Sequence, residues 1–192
     1  MRLENAMGLA LAAGFFSFVA VAVILRQLGR VESVHQEERL GGLAFLGIAV
    51  LLLAMAFVEE GLFRWLIIGQ GSRFIGLVPA FLVSVVLFTI AHRPNGRLSF
   101  GAVLNLLVVS VILGFVFLRW GLWVAAAAHA GWNLAEWGLG FTVSGERNRK
   151  LLPSPRHREV KGEPYGPEGH WSASLVLMVV LVLLINFGRP HF

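Results

Sequence analysis

The sequence contains no cysteine. That excludes a disulfide framework and any thiolate chemistry, nucleophilic or metal-binding, and says nothing about compartment. Charge is scarce as well. Asp, Glu, Lys and Arg make up 14% of the 192 residues, where a soluble domain carries about a quarter. No H-E-x-x-H segment occurs, which removes a common helical zinc-hydrolase signature. No internal repeat of the inverted-transporter kind is visible. The first apolar run is longer than a signal-peptide core and ends in no A-x-A cleavage site, so it is read as retained.

What is abundant is apolar: 57% of residues are hydrophobic, and the mean hydropathy is +0.75. Uncharged runs recur at Asn5–Leu25, Leu40–Val58, Phe74–Ala91, Leu98–Leu118, from Trp120 onward towards Gly145 with few interruptions, and Trp171–Gly188. A bilayer-spanning helix needs about 20 mainly apolar residues. The expected fold is all-α, an integral-membrane bundle of six transmembrane helices forming one domain over 1–192. Its motif-bearing core lies at about 43–141, a polar loop at 146–170 and the final transmembrane helix at 171–188.

The net charge is +5 and the isoelectric point is near 11.0. In a soluble protein such a balance points to nucleic acid. Here the basic residues sit in connections, where they orient the chain and meet anionic lipid, so the expected partner is the bilayer and not a nucleic acid. With six spans, the connections 26–39, 93–97 and 146–170 share one side and hold eleven Lys/Arg, against four on the other. The positive-inside rule puts the eleven in the cytoplasm and both termini outside.

Three polar clusters interrupt the apolar runs: Glu59-Glu60…Arg64 in "VEEGLFR", His92 closing "FTIAH", and His129…Asn133 in "HAGWN". Glu60 and Arg64, Phe88 and His92, and His129 and Asn133 are each four residues apart, so each pair shares one helix face. At 1.5 Å per residue the three clusters fall at comparable depth. Taken singly, each has a bland explanation: an intrahelical ion pair, a helix-end histidine, a packing histidine. Phe88 reads as packing. Together they leave one carboxylate over. Arg64 neutralises one glutamate, assigned by spacing to Glu60, and Glu59 then points about 100° away round the helix, free to face a histidine. A carboxylate beside a histidine is equipment for activating water, and His129 with Asn133 can donate to a developing oxyanion. The small residues Ala125–Ala128, Ala130 and Gly131 flank His129 and are expected either to line a substrate slot or to pack helices closely.

In order, "EEGLFR", "FTIAH" and "HAGWN" resemble the E-E-x-x-x-R, F-x-x-x-H and H-x-x-x-N motifs of the CPBP family, the CAAX prenyl endopeptidases and their bacteriocin-processing relatives. As in that pattern, an extra helix, Leu98–Leu118, separates the second motif from the third. The resemblance implies an intramembrane endopeptidase. Glu59 then matches the water-activating glutamate, His92 its histidine partner, and His129 and Asn133 the oxyanion pair. Glu60 and Arg64 match the supporting ion pair. Glu136, on the same face as His129, lies outside the pattern. Zinc is possible with two histidines and a glutamate, but a Glu–His pair works without metal and no cofactor is expected. The expected substrate is a membrane-associated protein or peptide, with C-terminal anchor processing or protein sorting as the attractive case, in a prokaryotic cytoplasmic membrane. Two other functions are compatible with the same residues: a proton-coupled transporter component, and a non-catalytic immunity or scaffold protein.

Overall fold

The computed structural model describes residues 2–34, 41–145, 148, 152–153 and 156–187. Much of the 146–156 stretch of the polar loop therefore lies outside the described residues. The molecule is a helical membrane bundle. Helix α1 spans Leu3–Gln27 and α2 spans Gly42–Glu60. The latter runs on without a break through a π-helical segment, Gly61–Gln70, and a last turn, α3, Ser72–Ile75. Helices α4 (Leu77–Ala91), α5 (Phe100–Trp120), α6 (Leu122–Gly138) and α7 (Trp171–Phe187) follow.

The boundaries have local causes. Gly76 and Gly121, both at positive φ, break the chain before α4 and α6. Ser99 caps α5, its hydroxyl accepting from the Ala102 N–H at 3.2 Å. Asn95 and Gly96 follow Pro94 in the turn that ends α4.

Four helices are long and apolar enough to cross a membrane: Leu3–Gln27, Gly42–Ile75, Leu77–Asn95 and Phe100–Trp120. The other two members differ from the expected spans. Helix α7 is a shorter apolar helix. Helix α6 is the centre of the bundle, with Val124 to Ala127, His129 to Asn133 and Ala135 to Trp137 buried. Its alanine-rich apolar character suits contact with protein rather than with lipid. Phe18 of α1 packs edge-on against Trp132 of α6 at 5.2 Å and against Phe141 at 5.9 Å, in a core that Val21, Leu25, Ile112 and Leu177 extend.

Glycine sets the α1–α6 distance. A Cβ on Gly14 would overlap the Ala128 carbonyl oxygen, and one on Gly131 would overlap the Leu11 carbonyl oxygen. The backbones are as close as small residues allow, the usual basis of helix association in lipid. Gly131 is thus a packing residue, while Ala128 both meets α1 and borders the cavity described below. We expect Gly131→Val to force the two helices apart at a cost of about 1–3 kcal/mol, as overpacking does. A lowered thermal midpoint of the detergent-solubilised protein is the readout.

The polar loop folds back onto the bundle, a correction to its reading as a plain connecting loop. Strand β2 (His157–Val160) pairs antiparallel with β1 (Val31–Val34), with Val31 opposite Val160 and Glu32 opposite Glu159. Lys161 meets Glu32 at 3.1 Å. Beyond β2 the chain re-enters the protein. Tyr165 is fully buried and donates to the His92 carbonyl at 3.4 Å. The turn Gly166–Gly169 buries Glu168. The connections after α1, after α4 and after α6 consequently lie together on one face.

Candidate active site

Helices α2, α4 and α6 each supply one polar edge, and the edges meet. The Glu59 Oε2 atom lies 3.8 Å from His92 Nε2 and 3.8 Å from His129 Nε2. That oxygen is shielded from solvent and has no hydrogen-bond partner among the described residues. The Glu59 side chain nonetheless keeps 29% exposure, whereas both histidines are buried. Glu59 is therefore the member of the cluster that solvent can approach.

The remaining contacts fix ring orientation. His92 Nδ1 is 2.8 Å from the Phe88 carbonyl oxygen, one turn earlier on α4. A carbonyl only accepts, so Nδ1 carries a proton and Nε2 is left to face Glu59. His129 Nδ1 sits 2.9 Å from Glu60 Oε1. The second Glu60 oxygen lies 3.2 Å from Arg64 Nε, and both side chains are completely buried. Arg64 Nη2 donates to the Ser110 hydroxyl of α5 at 3.2 Å, and the guanidinium lies 4.3 Å from the centre of the Phe88 ring. Phe88 also stacks on His92 at 4.4 Å and meets His129 edge-on at 6.1 Å. The residue that looked like packing is a wedge that spaces the arginine from both imidazoles. Asn133, one turn beyond His129, is buried and faces the same cavity.

The π-helical segment belongs to this arrangement. It begins straight after Glu60 and contains Arg64. Wider turns of this kind loosen the backbone hydrogen-bond ladder, and the Ser84 hydroxyl of α4 donates to the Phe63 carbonyl at 2.7 Å.

A cavity of about 960 Å³ opens beside the cluster, between α1, α5, α6 and α7. His92, His129 and Asn133 form part of its polar floor, and α1, α5 and α7 give it apolar walls. Further polar residues that the motif spacing did not single out also reach it, among them Asn105 of α5 and Glu168 of the re-entrant turn. Asn105 was visible as an amide inside an apolar run. Glu168 was not, because nothing local shows that a proline-rich connection returns to the bundle. Glu136, left unplaced by the sequence, is fully buried and acts electrostatically on Glu168.

The model of the type II CAAX prenyl endopeptidase Rce1-like family matches residues 41–135. Over that segment the chain belongs to the family. The matched segment contains Glu59, Glu60, Arg64, His92, His129 and Asn133, and it leaves out α1, the re-entrant loop and α7. No curated protein and no solved structure matches the chain. At the level of the Rce1-like family this is an intramembrane CAAX-type endopeptidase with a membrane-associated protein as substrate. Two imidazole nitrogens and a carboxylate oxygen are donors that also suit a divalent cation. Among the described residues, however, no group of three His, Cys, Asp or Glu is spaced to hold one.

Proposed function

We propose that the protein hydrolyses a peptide bond of a membrane-associated protein or peptide by the glutamic route, with Glu59 and His92 activating water and no metal ion. The observation that carries this reading is the position of Glu59 Oε2, 3.8 Å from His92 Nε2. A water placed between them donates one hydrogen bond to the carboxylate and one to the free imidazole nitrogen, within the reach that general-base chemistry requires. Its oxygen attacks the scissile carbonyl carbon, and Glu59 takes the proton.

His129 and Asn133 bind the oxyanion that results. His129 acts as an imidazolium, with Nδ1–H held by Glu60 and Nε2–H directed into the site; Asn133 contributes its amide N–H. Such donors, fixed before the reaction in a poorly solvated site, stabilise charge as it develops. Collapse of the tetrahedral intermediate breaks the C–N bond, and the proton on Glu59 passes to the leaving amine. Arg64, Ser110 and Phe88 touch no reacting atom. They hold Glu60, and through it His129. The cavity between α1, α5 and α7 receives the apolar substrate, with processing of a C-terminal membrane anchor in a prokaryotic cytoplasmic membrane as the preferred setting.

Chelation tests the metal-free chemistry. Purified protein treated with a strong chelator is expected to keep its hydrolytic rate, and elemental analysis to find no stoichiometric zinc. Loss of activity restored by added zinc would assign the imidazoles to a metal and recast Glu59 as a base beside it.

A further inference from the structure

The cavity holds a second polar group that the hydrolytic chemistry leaves unused. Asn105 is 2% exposed. Its Nδ2 donates to two carbonyls of the re-entrant segment, Glu168 at 2.7 Å and His170 at 3.3 Å. Carbonyls only accept, so the amide orientation is fixed, and Oδ1 is left without a hydrogen-bond partner among the described residues. Glu168 is in the same condition. Its Oε1 accepts from the Trp132 indole N–H at 3.0 Å, and Oε2 has no partner among the described residues. Both residues line the cavity that His129 and Asn133 also line. Glu136, fully buried, adds a second carboxyl group that interacts electrostatically with Glu168.

These unmatched buried atoms are all acceptors. A buried acceptor without a donor loses free energy comparable to a lost hydrogen bond, and a buried carboxylate without a counter-charge loses more. A cation with several N–H donors corrects both deficits. The apolar wall beside Asn105, formed by Leu106 and Val109, suits a methylene stem.

We propose that Asn105 and Glu168 form a specificity subsite that binds a lysine or arginine side chain of the substrate, its stem along Leu106 and Val109 and its cationic head on the two free oxygens. The inference rests on the endopeptidase reading of the neighbouring site. An uncharged residue leaves the Glu168 carboxylate unpaired, and an acidic one is repelled by it.

The electrostatics give the subsite a pH signature. Burial, chiefly, pushes the Glu168 carboxyl up to about 7; the Trp132 N–H and His129 oppose the shift, and Glu59 adds to it. Tyr165 and Glu136 are the other titratable groups that act on it. The anionic, cation-binding form is gained as pH rises through about 7, so the preference for a basic residue strengthens over that interval.

The test uses reporter peptides with one apolar transmembrane segment, in which a single lysine or its uncharged isostere norleucine is scanned along the central eight positions. Binding is measured to the full-length Glu59→Gln variant in nanodiscs, and hydrolysis by the unmodified protein. At one position the lysine peptide is expected to bind at least about tenfold more tightly than its norleucine twin, since a buried charge pair is worth that much or more. The double variant Glu59→Gln/Glu168→Gln loses that difference, and Glu168→Gln is the mildest change because Oε1 still meets Trp132. Hydrolysis without any lysine preference overturns the subsite and leaves the endopeptidase standing. Lysine-selective binding without hydrolysis overturns the endopeptidase and leaves the subsite standing. No preference at any of the positions, or a preference that survives Glu168→Gln, overturns the subsite.

Discussion

Glu59→Gln is expected to lower peptide hydrolysis about 10²–10⁴-fold, the range that positioned acid–base groups contribute, in a protein that still folds. The substitution keeps the shape of the side chain and removes only its ability to take a proton. Oε2 of Glu59 makes no hydrogen bond among the described residues and 29% of the side chain is exposed, so the substitution removes no hydrogen bond that holds the helices. Unfolding and activity should separate cleanly: an unchanged elution profile and thermal midpoint in detergent, with hydrolysis lost. A proton-coupled transporter would lose flux instead, and a scaffold or immunity protein would lose nothing.

Glu60→Gln is expected to fail differently. Glu60 and Arg64 are 0% exposed, and the carboxylate serves two partners, Arg64 at 3.2 Å and His129 at 2.9 Å. Neutralising it strands a guanidinium inside the bundle, where breaking a buried pair costs about 3–5 kcal/mol. Folded yield and thermal midpoint should both drop. Removing the pair together, in Glu60→Gln/Arg64→Met, should recover most of the stability, because replacing both ions leaves no stranded charge. Activity should not recover, since His129 Nδ1 then lacks the carboxylate that orients the ring. A double variant as unstable as the single one would show that the pair matters through packing around Phe88 and Ser110 rather than through charge.

The two experiments probe adjacent residues whose fates the sequence already separates. Helical spacing alone aligns Glu60 with Arg64 and turns Glu59 away, and the structure places Glu59 between two histidines. The i,i+4 edges of α2, α4 and α6 were legible because helical geometry is local. So was the apolar character of the long helices. The geometry that assembles the cavity was not, because it is made by contacts distant in sequence. Val31 pairs with Val160 more than a hundred residues on, and Tyr165 and Glu168 return to His92 and Asn105 across 73 and 63 residues. No periodicity in a stretch with four prolines announces either. Composition also could not distinguish a helix facing lipid from one facing protein. The sequence reads α6 as one more membrane span, and the structure makes it the buried centre of the bundle, held against α1 by Gly14 and Gly131. Phe88 shows the same limit at one residue. Its spacing to His92 was plain, but its contact with Arg64 across helices was not.

The most direct measurement is the terminome of native membranes, determined by mass spectrometry of protein N- and C-termini, with the unmodified protein and with Glu59→Gln at equal abundance. An intramembrane endopeptidase acting through Glu59 predicts a small set of new paired termini, lying in or beside apolar segments, present only with the unmodified protein. Identical terminomes in the two membranes would contradict it.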